Sequence, residues 1–179
     1  MKKISLAVLI LVLAAIAVSG QDHERASLKG LHGVQVYVQL LPGTKDALEK
    51  IGVSIGFVVE QTTLRLRKAG IKVVESADEK RFKTWSEGWP QLAVELNYLN
   101  RDEANVAFLS VSVHLVQLVI LTRTLTRTSQ DQAFLATTWE SSISTVSGSD
   151  TKLYGSAKEM IGNAVDSFIN AYLAENPKP

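Results

Sequence analysis

Residues 104–124 read ANVAFLSVSVHLVQLVILTRT, and no formal charge falls between Glu103 and Arg123. The run is long enough to cross a bilayer as a helix, but its polar residues argue otherwise. From Ala107 to Leu115 the odd positions are Ala, Leu, Val, Val and Leu, whereas Ser110, Ser112 and His114 fall on even ones. Period-two sorting with many β-branched residues specifies a strand with one buried face. Sinking Ser110, Ser112, His114 and Gln117 in lipid would leave polar groups without partners. The stretch reads as a strand of a water-exposed sheet.

Past Leu115 the phase changes. Val116, Leu118 and Ile120 are apolar on even positions, and Gln117 takes the formerly apolar side. Two arrangements fit: a β-bulge that slips the strand by one residue, or a continuous strand buried on both faces. In the second, Val116, Leu118 and Ile120 form a patch on the open sheet face that needs a cover. A second copy, a partner, a lipid-like ligand or the chain's own tryptophan loop could provide it. Fully extended, residues 106–128 would reach about 75 Å at ~3.3 Å per residue. A compact domain of this size is about 40 Å across, from a radius of gyration near 15 Å. The strand must therefore bend, break or project as the arm of a hairpin. Its partner is QAFLATTWESSISTV, 132–146, entered through the polar turn RTSQDQ.

Upstream, Val34, Val36, Val38 and Leu40 alternate with Gln35, Tyr37 and Gln39, a strand closed by Pro42-Gly43. In 54–70, Ile55, Val58, Val59, Thr62, Leu66 and Ala69 make a helical stripe. Ser54 suits its N-cap, Arg65, Arg67 and Lys68 its carboxyl-terminal end, and Gly70 its C′ position. The strand IKVVES follows at once, so the unit is a crossover with parallel strands. After a polar loop, Leu92, Val94, Leu96 and Tyr98 alternate with Ala93, Glu95 and Asn97. The last element is a helix from Ser156, with a Ser156/Glu159 capping box. Ile161, Ala164, Val165, Phe168, Ile169 and Tyr172 form its stripe, and Asn176-Pro177 ends it.

The order β-α-β-β-β-β-α predicts an α+β fold: a single mixed, mostly antiparallel sheet with both helices packed on one face. The opposite face would be wettable, carrying Gln35, Tyr37, Gln39, Lys72, Glu95, Asn97, Ser110, Ser112 and His114.

The first twenty of the 179 residues stand apart from this domain. Lys2 and Lys3 precede an apolar run from Ile4 to about Leu13 and then small residues, with cleavage expected after Ala17 or Gly20. Residues 1–20 read as a signal peptide, 21–30 as a flexible leader, 31–176 as one α+β domain and 177–179 as a tail. Without Lys2 and Lys3 the chain has 17 basic against 18 acidic residues, which offers nothing to nucleic acid. With no cysteine it has neither disulfides nor a site for a lipid anchor. The expectation is a soluble periplasmic or secreted protein with no membrane span after cleavage.

Catalytic motifs are missing. There is no G-x-S-x-G, no H-E-x-x-H and no phosphate-binding glycine loop. Ser110, Ser112 and His114 share a face, but neighbours at i, i+2 are about 7 Å apart, too far for a Ser–His hydrogen bond. Glu95 and Glu140 are the carboxylates to check for a glycosidase-like pair. No spacing proposes a metal site or a cofactor. The loop 82–90, FKTWSEGWP, interleaves Phe82, Trp85 and Trp89 with charges, which suits peptide or sugar contacts; the plainer and favoured reading is that one or both tryptophans fold back to plug the sheet end. Candidate binding residues are therefore Phe82, Trp85, Trp89, Ser110, Ser112, His114, Val116, Leu118 and Ile120, with no catalytic or metal-ligating residue among them.

The element pattern, most recognisable in VEQTTLRLRKAGIKVVES at 59–76, resembles small envelope domains of Gram-negative bacteria. These are the lipopolysaccharide-assembly lipoproteins, TolB amino-terminal domains and lipoprotein activators of peptidoglycan synthases. The resemblance implies non-enzymatic partner binding or envelope assembly, through a sheet edge, the long hairpin or the aromatic loop. The absent lipid-carrying Cys departs from many of those proteins. Partners would be a protein or envelope component, with a homodimer through the exposed sheet face as one form. The competing expectations are a small secreted hydrolase using open-face carboxylates and a carrier of a small apolar ligand.

Overall fold

A computed structural model describes residues 24–74, 89–101, 106–120, 133–147 and 153–177. Five strands are present: β1 (Val34–Leu40), β2 (Val73–Val74), β3 (Gln91–Arg101), β4 (Val106–Ile120) and β5 (Ala133–Ser147). Among the described residues, the helices α1 (Thr44–Lys50), α2 (Ile55–Lys68) and α3 (Leu153–Glu175) accompany them, and residues 24–26 are also helical. The strands make one mixed, open sheet in the order β2-β1-β3-β4-β5. β1 is parallel to both β2 and β3, whereas the two long ladders, β3–β4 and β4–β5, are antiparallel. The α+β class read from the sequence is the class found.

Alternation does what it predicts. Leu92, Val94, Leu96 and Tyr98 of β3 and the odd residues Ala107 to Leu115 of β4 are buried on one face. α2 lies over β1 on that face and α3 over β4 and β5. Between the two helices, the Arg65 guanidinium meets Asp166 at 2.6 Å. Both groups are part-exposed, so that pair contributes at most about 1 kcal/mol. The centre of the core is aromatic: Phe168 stands edge-on to Trp139 at 5.3 Å and packs against Tyr172 at 6.2 Å.

α2 begins and ends where its signals lie. The Ser54 hydroxyl accepts the Phe57 amide at 3.1 Å, and Gly70 takes a left-handed φ of 81° that a Cβ would disfavour. Three expectations need correction. The sequence reading contained no helix between β1 and α2, yet α1 occupies 44–50, its buried residues being Thr44 and Leu48. α3 is already helical at Leu153, which is itself buried, so Ser156 sits inside the helix rather than at its N-cap. The domain also starts earlier than residue 31. Leu28 is 0% exposed within the core cluster, and Asn176 clamps the same stretch, accepting from the Gly30 amide and donating to the Leu28 carbonyl, both at 2.8 Å. The described part of the expected flexible leader, 24–30, is therefore built into the fold.

Gly33 shows how closely β1 and β2 approach. A Cβ there would fall 2.7 Å from the Lys72 carbonyl oxygen, which accepts the Val34 amide at 3.0 Å. Backbone cannot retreat as a side chain can. Gly33→Ala is expected to cost about 1–3 kcal/mol through this overlap, read as a lowered midpoint in urea denaturation with an unchanged slope.

Candidate functional site

The β4–β5 register explains the change of hydrophobic phase. Leu115 faces Trp139, but Val116 faces Thr137, so Thr138 has no partner across the ladder. There is a bulge, and the extra residue is on β5. β4 therefore keeps its own alternation: Val116 and Leu118 stay on the face of Ser110, Ser112 and His114, and β5 is the strand that changes sides. The bulge is held from the helix side. Thr138 donates to Gln117 Oε1 at 3.1 Å, Gln117 Nε2 donates to the Ser27 carbonyl at 3.4 Å, and Ser27 donates to the Thr138 carbonyl at 3.0 Å. A polar Gln117 on the apolar side is thus satisfied by the bulge and the leader together.

β3 pairs with β4 only up to Gln91↔Val116, whereas the β4–β5 ladder continues to Ile120↔Ala133. Residues 117–120 and 133–136 consequently form a two-stranded arm beyond the edge of β3. Leu118 is 51% exposed and its cross-strand partner Leu135 is 45% exposed, while Phe134, facing Val119 on the other side, is 43% exposed. Both sides of the arm are apolar. The expectation of a hairpin projecting from the sheet and that of a Val116-Leu118 patch on the open face meet in this one feature. Ile120 is paired with Ala133 at its end. The sequence reading missed Phe134 and Leu135, whose place opposite Val119 and Leu118 depends on the bulge.

Further along the open face the surface is polar. Ser110 faces Ser144 and Ser112 faces Ser142, four hydroxyls in a two-by-two array. His114 lies between two carboxylates, its Nε2 3.8 Å from Glu95 and its Nδ1 3.5 Å from Glu140. The register brings these three together: His114 stands opposite Ala93 and Glu140, with Glu95 one position further along β3 on the same face. Both contacts are long for hydrogen bonds. The ring nitrogens turn to different carboxylates, so the three groups do not converge on one point as ligands of a tetrahedral ion would. Among the described residues no cluster of His, Cys, Asp and Glu could hold a metal. Ser112 is aligned with Glu95 and Ser142 across the strands, and a Ser–His relay with His114 does not form from that placement.

Of the aromatic loop, Phe82 and Trp85 lie outside the described residues. Trp89 is half-buried, with Lys72 Nζ 5.2 Å above its ring, a cation–π contact that fixes one face of the indole. Trp139 belongs to the core. A cleft of about 870 Å³ lies between β1 and α2, lined by Val36, Val38, Ile55, Val59 and Leu64. At its margin the buried Gln35 Oε1 has no hydrogen-bond partner among the described residues.

No protein-family model matches this chain, and no curated protein matches it either. Function must be argued from these surfaces alone. Among the described residues no helix is long and apolar enough to cross a membrane, and the segment that raised that question is β4.

Proposed function

We propose that this is an exported, non-enzymatic binding factor of the bacterial envelope whose contact element is the β4–β5 arm. The observation that carries the reading is the exposure of Leu118, Phe134 and Leu135 on a ribbon extending past β3. A two-stranded ribbon is marginal in water by itself, and clustered exposed apolar side chains are a cost that monomeric proteins rarely carry without a use. The partner that fits is a protein component of the envelope presenting an apolar groove or strand. The aminoterminal sequence pattern supports export, with the mature chain starting after Ala17 or Gly20.

The test is site-specific photo-crosslinking in the native host, with the reactive group at Leu118 or, as a control, at Ser110. Leu118 is expected to yield discrete adducts that disappear when Leu135→Asp is added, and Ser110 none. Equal labelling from both positions, or no adduct from Leu118, would reject the arm as the contact element. The runner-up, a hydrolase, draws on the Glu95–His114–Glu140 group. Turnover of peptidoglycan, glycan or ester substrates that vanished in Glu95→Gln would favour it instead.

A further inference from the structure

Among the described residues, the last strand of the sheet is paired along one side. β5 is terminal in the strand order, fifteen residues long, and among the described residues pairs only with β4. Natural edge strands carry lysines, prolines or strong bulges that discourage pairing with another chain. β5 has no Lys, Arg or Pro, and Glu140 is its one charged residue. Its single irregularity, at Thr138, is the point where the Ser27 hydroxyl takes the bulge carbonyl. Beyond it, Trp139–Ser147 runs as an uninterrupted stretch of ladder. We propose that this stretch pairs antiparallel with the same stretch of a second copy, about a two-fold axis normal to the sheet near Ser144.

The second copy is favoured over a foreign strand for three reasons. An antiparallel edge is its own complement under a two-fold rotation, which produces a closed dimer rather than a filament. With the axis at Ser144, Ser142 lies opposite Val146 of the other copy and Ile143 opposite Thr145, pairings of hydroxyl-bearing and β-branched side chains that suit cross-strand contact. Val146, 66% exposed on a single chain, gains a neighbour on that face. The two Glu140 carboxylates end up roughly 27 Å apart, eight residues at ~3.4 Å each, well beyond the Debye length of about 8 Å at physiological salt. The only charge on the edge therefore does not oppose the pairing. On the helix side, Ser141, Ile143 and Thr145 are only half-buried, so α3 leaves that flank of the edge accessible.

Sedimentation equilibrium on the purified protein tests this directly. At roughly 0.1 mM, where contacts of modest affinity are populated, a mass of two chains is expected; a single-chain mass would overturn the proposal. Ser144 is exposed, so S144K should fold normally, but it sets two ammonium groups opposite each other at the axis. It is expected to weaken self-association at least tenfold, with an unchanged melting temperature at concentrations low enough for both proteins to be single chains, and mixing S144K with S144E should restore association. A dimer indifferent to both substitutions would place the contact elsewhere and reject the edge. Because the chain has no cysteine, Ser144→Cys offers a covalent check: it should oxidise to a linked dimer, and Leu99→Cys, exposed on the same face but on β3, should not. Equal linkage at both positions would count as random collision and against the proposal.

Discussion

Phe168→Ala is expected to cost about 3–5 kcal/mol, the upper range for core truncations. The ring is fully buried and stands where three parts of the chain meet. It is edge-on to Trp139 from β5, stacked towards Tyr172 one turn along α3, and set on the sheet face lined by β4. Alanine would remove the transfer energy of the ring and its contact geometry, about 0.5–1.5 kcal/mol per aromatic pair. It would also leave a void that Trp139, pinned beside the Thr138 bulge, is poorly placed to fill. Ordinary domains have only about 5–15 kcal/mol in hand, so the variant should be largely unfolded at 37 °C or melt far below the parent. Calorimetry decides it; a loss under about 1 kcal/mol would mean that the helix–sheet seam is not centred on Phe168.

The second large effect is expected at a position whose local sequence looks dispensable. Leu28 sits in QDHERASLKG, the polar run after the proposed signal peptide, yet it is 0% exposed. Leu28→Ala should cost about 2–5 kcal/mol as a buried leucine truncation. The response should be cooperative, because Leu28 is fastened at several points. Its carbonyl accepts Asn176, the Gly30 amide donates to Asn176, and the Leu31 carbonyl accepts the Tyr172 hydroxyl at 2.8 Å. A purely mobile leader would give no change in denaturation midpoint with Leu28→Ala, and that outcome would refute the docking. Amide exchange at Gly30 supplies an independent readout, with protection expected in the parent and lost in the variant.

The features that were legible in the sequence are those written as local periodicity. β4 is fixed by five alternating residues with serines and a histidine between them, β3 by Leu92 to Tyr98, and α2 by its stripe and by Ser54 and Gly70 at its ends. Where a feature depends on one residue or on distant pairing, the signal thins. α1 buries only Thr44 and Leu48, too little for a period to show in seven residues. Leu28 is a lone apolar side chain among charged neighbours, and nothing local says that α3 will receive it. The capping box at Ser156 was a sound local pattern overridden by Leu153, which extends the helix to reach the core. The phase break at Val116 fitted either a bulge in β4 or a continuous strand apolar on both faces; β4 runs on without a slip, and the bulge lies on β5, which apolarity along β4 cannot report.

The candidate surfaces followed the same rule. Glu95, Glu140 and His114 could each be placed on the open face from alternation; that they adjoin follows only from the register. Of Val116, Leu118 and Ile120, the last two fall on the β4 half of the arm and Val116 at its base. The other half needed Thr138 to flip Leu135 onto the same side. That β1 sits between β2 and β3, parallel to both, lies beyond any periodicity because the chain leaves the sheet and returns on the far side of β1.

Asn176 also determines how the domain answers to mechanical load. Its side chain joins the start of the described chain to its last helical turn, so a pull on the two ends meets this small clasp before it reaches the sheet. Once the clasp opens, the leader peels away with its leucine knob, and the long ladders are then loaded from one corner rather than sheared along their whole length. Load applied through the two ends would therefore be met early and gradually, whereas load applied between the arm and the opposite sheet end would be held by the long ladders.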